Sequence, residues 1–256
     1  MTNKDIFRIA MEQSAVDANC EAEDFTCGKP VIVPSQQNTG ARKYLKWPIE
    51  CNLISYGYNV VATVQPPYRS IVEDYIHKYP LENLMETPHM HVLEHAFNAH
   101  NLSICFMAEY WLPDLERLQA LPCRYDLRIL SPSDFADLYR PEWSNALCEK
   151  RKELDVLGVG AYDGKKLIGL AACSADCESM WQIGIDVLPE YRHQGIASSL
   201  TSHLALAILE RGKVPFYCCA WCNVPSARNA VKSGFKPAWV EMTLRPQSLV
   251  EEFNNV

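Results

Sequence analysis

The sequence lacks the features that mark membrane proteins, secreted proteins and dedicated nucleic-acid binders. No apolar run approaches the roughly 20 residues that a membrane-spanning helix needs. The N-terminal segment is polar and amphipathic and has no apolar stretch of the signal-peptide kind. The net charge is −7, and no lysine- and arginine-rich run is present. We therefore expect a cytoplasmic protein whose partners include neither nucleic acid nor membrane.

The sequence also lacks the pattern of a metal site. Its eleven cysteines are odd in number and scattered, which favours reduced thiols over a disulfide framework. Cys218 and Cys219 would point to opposite faces of a strand, so they are poor joint ligands. His91 and His95 are one helical turn apart, but no glutamate completes an HExxH arrangement. We expect no bound metal.

The chain is long enough for one large domain or two small ones, since it has 256 residues of which 48% are hydrophobic. The first half, residues 1–122, is predicted to form an α+β domain without an obvious chemical motif. Its predicted elements are helices over 4–16, 71–79, 86–99 and 114–120, and strands over 31–33, 49–55, 59–64 and 102–110.

The second half, residues 123–256, has a more regular pattern. Asp163-Gly164 between two apolar runs predicts a tight hairpin. The predicted strands cover 125–130, 156–162, 165–173, 181–187, 215–221 and 235–243. The predicted helices cover 135–140, 143–154, 198–211 and 223–232.

The stretch from Trp181 to Ala197 predicts an anion-binding junction. A short apolar strand ends before Pro189, and a glycine-containing turn then leads into an apolar helix. Free backbone N–H groups and the positive end of the helix dipole favour a phosphate at such a turn. Gly195 allows the backbone to approach the anion closely, and Arg192 adds positive charge.

Three motifs in this order resemble the GNAT superfamily of acyl-CoA-dependent N-acyltransferases. Val187–Arg192, VLPEYR, resembles the V-x-P-E-[YF]-R stretch, and Arg192–Ala197, RHQGIA, matches the [RQ]-x-x-G-x-[GA] phosphate loop. Asn223–Ser226, followed by Gly234-Phe235, resembles the closing N-x-x-[AS]…G-F signature. The resemblance covers residues 124–244, roughly half of the chain.

The resemblance implies a mixed α/β fold in which a central sheet, flanked by helices, splays apart between strands 181–187 and 215–221. Acetyl-CoA would lie in that wedge as the cosubstrate. The implied cofactor-binding residues are Ile185, Asp186, Val187, Arg192, His193, Gln194, Gly195, Ile196, Ala197, Asn223 and Ser226.

The resemblance also implies direct transfer of an acetyl group to a primary amine in a ternary complex. Asp186 is the candidate general base, with Glu178 and Gln182 near the same strand. Many relatives carry a tyrosine seven residues after the asparagine as the acid for the leaving thiolate, but here that position is Ala230. Ser226 is the candidate acid in its place, although a water, another group or departure of the unprotonated thiolate are alternatives.

Two other functions remain open from the sequence. A non-catalytic, regulatory acyl-CoA-binding module would explain the missing tyrosine. A dinucleotide-binding enzyme is less consistent, because the G-x-G-x-x-G pattern is absent. The acceptor is expected to be a small-molecule or peptide amine, and a homodimer is also open.

The first half could be a degenerate copy of the same fold or an unrelated cap that supplies the acceptor pocket. Candidate lining residues for such a pocket are Tyr56, Tyr58, His89 and His91, although packing in the core or at the surface explains each of them as well.

Overall fold

Ten strands and six α-helices make up the computed structural model, which describes residues 1–255. The helices are α1 (Asn3–Ala18), α2 (Arg69–Lys78), α3 (Thr87–Asn98), α4 (Ile196–Glu210), α5 (Val224–Lys232) and α6 (Gln247–Asn254). The strands are β1 (Val31–Pro34), β2 (Cys51–Ser55), β3 (Val60–Val64), β4 (Leu102–Pro113), β5 (Asp126–Leu130), β6 (Asp155–Asp163), β7 (Lys166–Ser174), β8 (Met180–Val187), β9 (Val214–Ala220) and β10 (Phe235–Pro246). The predicted mixed α/β class is confirmed.

Each of the two units into which the chain divides is built from two stretches of sequence. Unit 1 comprises Met1–Ala10 and Tyr110–Pro237, and unit 2 comprises Met11–Glu109 and the residues from Ala238 onward. Helix α1 and the 12-residue strands β4 and β10 each contribute residues to both units. These units differ from the predicted domains 1–122 and 123–256, and the additional N-terminal domain stays a prediction.

Unit 2 contains the strand order β1-β3-β2-β10. β2 and β3 form the predicted antiparallel hairpin, with Ser55 opposite Val60, whereas β1 and β3 are parallel. Apolar side chains of this sheet pack against α2 and α3 around Val72, Ile76 and Phe97. A polar cluster is also buried in this unit: Arg42 and Asp17 form an ion pair of 2.6 Å.

Unit 1 contains the strand order β9-β8-β7-β6-β5. The Asp163-Gly164 hairpin between β6 and β7 is confirmed, and the neighbouring pairs β5–β6 and β7–β8 are also antiparallel. β8 and β9 are parallel. Helix α4 packs its apolar face, including Leu200 and Leu204, against this sheet. The core of the unit therefore places the N-terminus of α4 beside the end of β8.

The helix predicted over residues 143–154 is wrong. Two short 3₁₀ turns, Pro141–Trp143 and Glu149–Leu154, occupy this region instead, and Arg151 has a non-helical φ of −143°. Two carboxylates outside the segment accept hydrogen bonds from its backbone: Asp186 from the Asn145 N–H and Asp155 from the Cys148 N–H. In a helix the Cys148 N–H would pair with the carbonyl four residues earlier, so its bond to Asp155 interrupts the helical ladder.

The short helices predicted over 114–120 and 135–140 are turns in the structure. Among residues 1–255, no helix is both long enough and apolar enough to cross a membrane.

Candidate active site

The parallel strands β8 and β9 form a fork. Their paired register runs from Met180 opposite Val214 to Ile183 opposite Tyr217 and ends there. β8 continues to Val187, and on its other edge it stays paired with β7 as far as Gly169. The edge of β8 that faces β9 is therefore open beyond Ile183, and the predicted separation of these two strands is observed.

A left-handed turn joins the end of β8 to α4. His193 has a φ of 61° and Gly195 a φ of 80°, a region that residues with a Cβ rarely adopt. Gly195 occupies the N-cap position of α4. Within the described residues, no side-chain cap accepts a hydrogen bond from the first N–H groups of this helix. The first-turn N–H groups of an α-helix have no partner within the helix. This turn thus presents donors at the positive end of a helix dipole.

A cleft of about 640 Å³ extends from the fork to this turn. It is lined by ten of the eleven predicted cofactor-binding residues: Ile185, Asp186, Val187, Arg192, His193, Gly195, Ile196, Ala197, Asn223 and Ser226. The eleventh, Gln194, does not line the cleft, because its Oε1 accepts a hydrogen bond of 3.0 Å from the Tyr125 hydroxyl. The predicted role of Gln194 is that of its backbone N–H in the turn, and it stays a prediction.

Other lining residues were not identified from the sequence. They include Asn145, Tyr217, Arg228, Asn229 and Lys232. Arg228 and Lys232 are four residues apart on α5, so helical spacing after the Asn223 motif was the available signal. No local pattern indicates Asn145 or Tyr217, because both reach the cleft through tertiary packing.

Positive charge predominates in the cleft. Its lining includes Arg192, Arg228 and Lys232, while Asp186 is the one carboxylate among the described lining residues. Arg192 is held at the end of β8, since its Nε donates to the Val187 carbonyl at 3.0 Å. The Lys232 ammonium lies 3.6 Å from the position that a Cβ on Gly195 would take. In a chain of net charge −7 this local concentration of cations favours a polyanionic ligand.

Asp186 anchors a loop beside the fork. Its carboxylate accepts hydrogen bonds from the Asn145 N–H at 2.9 Å, the Asn145 amide Nδ2 at 2.7 Å and the Ala146 N–H at 2.9 Å. Burial raises the pKa of Asp186, and these hydrogen bonds oppose that rise. The geometry thus gives Asp186 a structural task, and its predicted role as general base stays a prediction.

The same loop lies directly against β8 at Gly184. A Cβ built on Gly184 would overlap the carbonyl oxygen of Asn145. Only glycine permits this approach, so the loop wall and the open edge of β8 are held together by contact as well as by hydrogen bonds.

A pair of hydroxyls lies at the base of the fork. Tyr217 Oη is 2.6 Å from Ser226 Oγ. Ser226 is fixed on α5 because its backbone N–H donates to Asn223 Oδ1, the cap of that helix, at 3.2 Å. Burial raises the pKa of Tyr217, and its hydrogen bond with Ser226 opposes the shift. Ala230 is fully buried in the core cluster that also contains Tyr217.

The described residues do not bring together three or more histidine, cysteine, aspartate or glutamate side chains that could hold a metal ion. Cys219 is buried, and Cys218 accepts a hydrogen bond of 3.0 Å from Gln182.

The family is established by a model for the GNAT acetyltransferase family, which matches residues 67–238, about two thirds of the chain. The protein therefore belongs to the GNAT acetyltransferase family, whose members are acyltransferases. No curated protein matches the sequence significantly.

Several solved structures are similar to this chain. A GCN5-related N-acetyltransferase-like protein from Streptococcus suis is 21% identical, with a TM-score of 0.45 over 62% of this chain and 69% of the other. An acetyltransferase of the GNAT family from Colwellia psychrerythraea is 16% identical, with a TM-score of 0.43 over 59% and 61%. An aminoglycoside N-acetyltransferase in complex with CoA is 18% identical, with a TM-score of 0.37 over 47% and 93%. The chain thus spans about two thirds of the length of the first two.

Proposed function

We propose that this protein is an N-acetyltransferase that moves an acetyl group from acetyl-CoA to a primary amine by direct attack in a ternary complex. One observation carries the proposal: the fork between β8 and β9 opens into a cleft that ends at an uncapped helix N-terminus surrounded by cations.

The chemistry of coenzyme A fits this arrangement. Its pantetheine arm carries amides, which are complementary to the open backbone edge of β8 at Ile185 and Val187. Its diphosphate is complementary to the first-turn N–H groups of α4. Arg228 and Lys232 on α5 add charge for phosphate groups. The volume of about 640 Å³ lies within the ordinary range of small-molecule sites.

The transfer itself requires little covalent chemistry from the protein. The amine nitrogen attacks the thioester carbonyl carbon, so it must be unprotonated when it arrives. The oxyanion that forms is stabilised, in this proposal, by a backbone N–H of the edge of β8 that is unpaired beyond Ile183. Because the Asp186 carboxylate is engaged by Asn145 and Ala146, we propose that a water relays the amine proton to it or directly to solvent.

The acceptor class that we propose is a small-molecule or peptide amine. The experiment is calorimetric titration of the protein with CoA, followed by incubation with acetyl-CoA and a panel of amines. Free CoA should be quantified by chromatography and the acetylated amine by mass spectrometry, because the chain's own eleven cysteines would react with a thiol reagent. Absence of CoA binding contradicts the proposal.

A second function, a non-catalytic acyl-CoA-binding module, is favoured by two observations. Ala230 stands where relatives carry a tyrosine, and the Asp186 carboxylate already accepts three hydrogen bonds. CoA binding without acetylation of any amine in the panel favours this second function over the first.

A further inference from the structure

The hydroxyl of Tyr217 lies where the two strands of the fork separate. Tyr217 belongs to the last registered pair of β8 and β9, opposite Ile183, and it lines the cleft. It is only 3% exposed, so its ring is fixed by packing, including contact with Phe235 at a ring-centroid distance of 6.2 Å. A hydroxyl on a fixed ring at the apex of the fork is well placed to meet whatever enters between the strands.

Counting protons shows that this hydroxyl can donate into the cleft. Tyr217 and Ser226 each carry one hydroxyl proton, and their 2.6 Å contact uses one of them. When Ser226 is the donor, the proton of Tyr217 is left for the neighbouring Asn229 side chain or for an acceptor that enters the cleft. Ser226 is held in position for this by its own backbone bond to Asn223.

The cleft contains another polar atom that lacks a partner. Asn229 lines it, and its Nδ2 donates to Thr201 Oγ1 at 3.1 Å. Its Oδ1 is buried and has no hydrogen-bond partner within the described residues. A buried acceptor without a partner costs stability and is satisfied when a ligand brings a donor. The wall formed by Tyr217, Ser226 and Asn229 is thus prepared for a polar ligand.

Ala230 shows why the hydroxyl must come from elsewhere in the fold. It is buried in the same core cluster as Tyr217 and offers no proton. A thiolate that leaves a tetrahedral centre is a better leaving group when a proton reaches the sulfur. Among the described lining residues, Tyr217 and Tyr191 are the phenols, and the hydroxyl of Tyr191 donates to Asp163 at 3.1 Å.

We propose that Tyr217 is the catalytic acid that protonates the departing CoA thiolate, with Ser226 donating a hydrogen bond to the phenolate that forms. This inference rests on the proposed acetyl transfer. The N–C bond forms and the C–S bond breaks, and the electron pair of the C–S bond stays on sulfur. The phenolic proton moves to that sulfur and yields the thiol. The amine releases its proton through water to Asp186 or to solvent, and cleft water returns one proton to the Tyr217 phenolate, so the balance closes without a further reactant.

The phenol of Tyr217 is in the protonated form that this role needs. Its ordinary pKa of 10.0 lies well above neutral pH, and burial raises that pKa further.

The test compares CoA with desulfo-CoA, which lacks the sulfur, on the wild-type protein and on Tyr217→Phe. Calorimetry at alkaline pH, where a thiol is partly ionised, measures the preference for CoA. We expect wild type to prefer CoA by about threefold to tenfold, the value of one ordinary hydrogen bond, because the thiol is only partly ionised, and we expect Tyr217→Phe to lose that preference. This measurement needs no acceptor amine.

The matched control is Tyr56→Phe. It removes the hydroxyl of the other tyrosine–serine pair, Tyr56 with Ser14, which does not line the cleft. We expect this control to keep the CoA preference of wild type. With the best amine of the panel, Tyr217→Phe should also lower the single-turnover rate of acetyl transfer by at least about tenfold.

An unchanged preference in Tyr217→Phe, or no preference in wild type, overturns the acid role while leaving the proposed function intact. Failure of wild type to bind either compound overturns the proposed function and this inference with it. If Tyr217→Phe does not fold, Ser226→Ala replaces it, and a preference fully retained in that variant also contradicts the proposal.

Discussion

Two tyrosine hydroxyls of this protein each lie within hydrogen-bond distance of a serine hydroxyl, yet their surroundings differ. In unit 2, Tyr56 Oη is 2.9 Å from Ser14 Oγ, and the Tyr56 ring stacks on Trp239 at 5.3 Å. In unit 1, the Tyr217–Ser226 pair lines a cleft. Burial raises the pKa of both tyrosines. A tyrosine–serine hydrogen bond and a raised tyrosine pKa therefore do not by themselves identify a functional site. The Tyr217–Ser226 pair differs from the Tyr56–Ser14 pair in that it lines a cleft.

The two units also differ in how their positively charged side chains are paired. Unit 2 buries Arg42 against Asp17, with side chains 2% and 6% exposed, so its positive charge is balanced inside the core. The cleft of unit 1 instead gathers Arg192, Arg228 and Lys232 beside one described carboxylate. The first arrangement pairs each buried charge, so that removing one partner is costly, and the second leaves charge available for a ligand.

The largest expected effect is on stability, and it concerns the buried Arg42–Asp17 pair of unit 2. Arg42→Ala leaves Asp17 buried without its partner and should lower the free energy of unfolding by about 3–5 kcal/mol. The control is Arg128→Ala, since Arg128 and Asp126 form an exposed pair at 2.8 Å whose loss should cost about 1 kcal/mol or less. Urea denaturation measures both variants. Equal losses of unfolding free energy in the two variants would show that burial does not make the Arg42–Asp17 pair costlier to break than an exposed pair.

Gly195→Val tests whether the turn at the cleft of unit 1 binds CoA. A β-branched residue at a φ of 80° strains the turn by about 1–3 kcal/mol and displaces the first-turn N–H groups, so the Kd for CoA should rise at least about tenfold. Gly212→Val is the control, because Gly212 has a φ of 72° at the other end of α4 and no atom near its added Cβ. Both variants should lose stability, but only Gly195→Val should lose affinity. Equal affinities would argue against the turn as the phosphate site.

Lys232→Ala removes one cation from the cleft. Because this ammonium is exposed, we expect the Kd for CoA to rise by only about twofold to fivefold, and less at high salt. Lys236→Ala, at a lysine that faces Asp114 at 3.7 Å outside the cleft, should leave the Kd unchanged. Calorimetry at two salt concentrations checks this, and a salt-independent effect would contradict an electrostatic role.

The smallest expected effect is on the pH dependence of the free energy of unfolding, and it concerns Asp155, which does not line the cleft. Burial raises the pKa of Asp155 from an ordinary 3.8 to about 6. The folded form therefore binds a proton between about pH 4 and pH 6 while the unfolded form does not, so stability falls as pH rises through this window. Asp155→Asn should make the slope less negative.

Asp134→Asn is the opposing control for that slope. Hydrogen bonds from Ser131 lower the pKa of Asp134, so its contribution to stability is lost as pH falls. Denaturation at several pH values between about 3 and 6 measures both variants, because the effect of Asp134→Asn falls below an ordinary pKa of 3.8 and that of Asp155→Asn falls above it. A slope unchanged in Asp155→Asn would show that its proton uptake does not depend on folding.

The local part of the site could be predicted from the sequence. The turn around Gly195 and the start of α4 were recognisable because left-handed glycine and helical spacing are properties of neighbouring residues. The fork was predictable only with the motif order, since two strands that separate carry no local signal of their own.

The rest depended on partners distant in the chain. Residues 143–154 have helical spacing, but Asp186, 41 residues from Asn145, holds the start of the segment as a loop, and Asp155 binds the Cys148 N–H that a helix would pair with its own carbonyl. Tyr217 has the pattern of a core strand residue, and only its contact with Ser226 and the cleft distinguishes it. The two units could not be anticipated either, because strands β4 and β10 each contribute to both.

Gly184 has a consequence for anyone who varies this protein. The carbonyl oxygen of Asn145 already occupies the space that any side chain at position 184 would need. A library that samples all amino acids there should return glycine alone among folded, CoA-binding clones. The Asn145 wall of the cleft thus depends on the lack of a side chain at position 184. Attempts to widen the specificity of the protein must therefore keep glycine there.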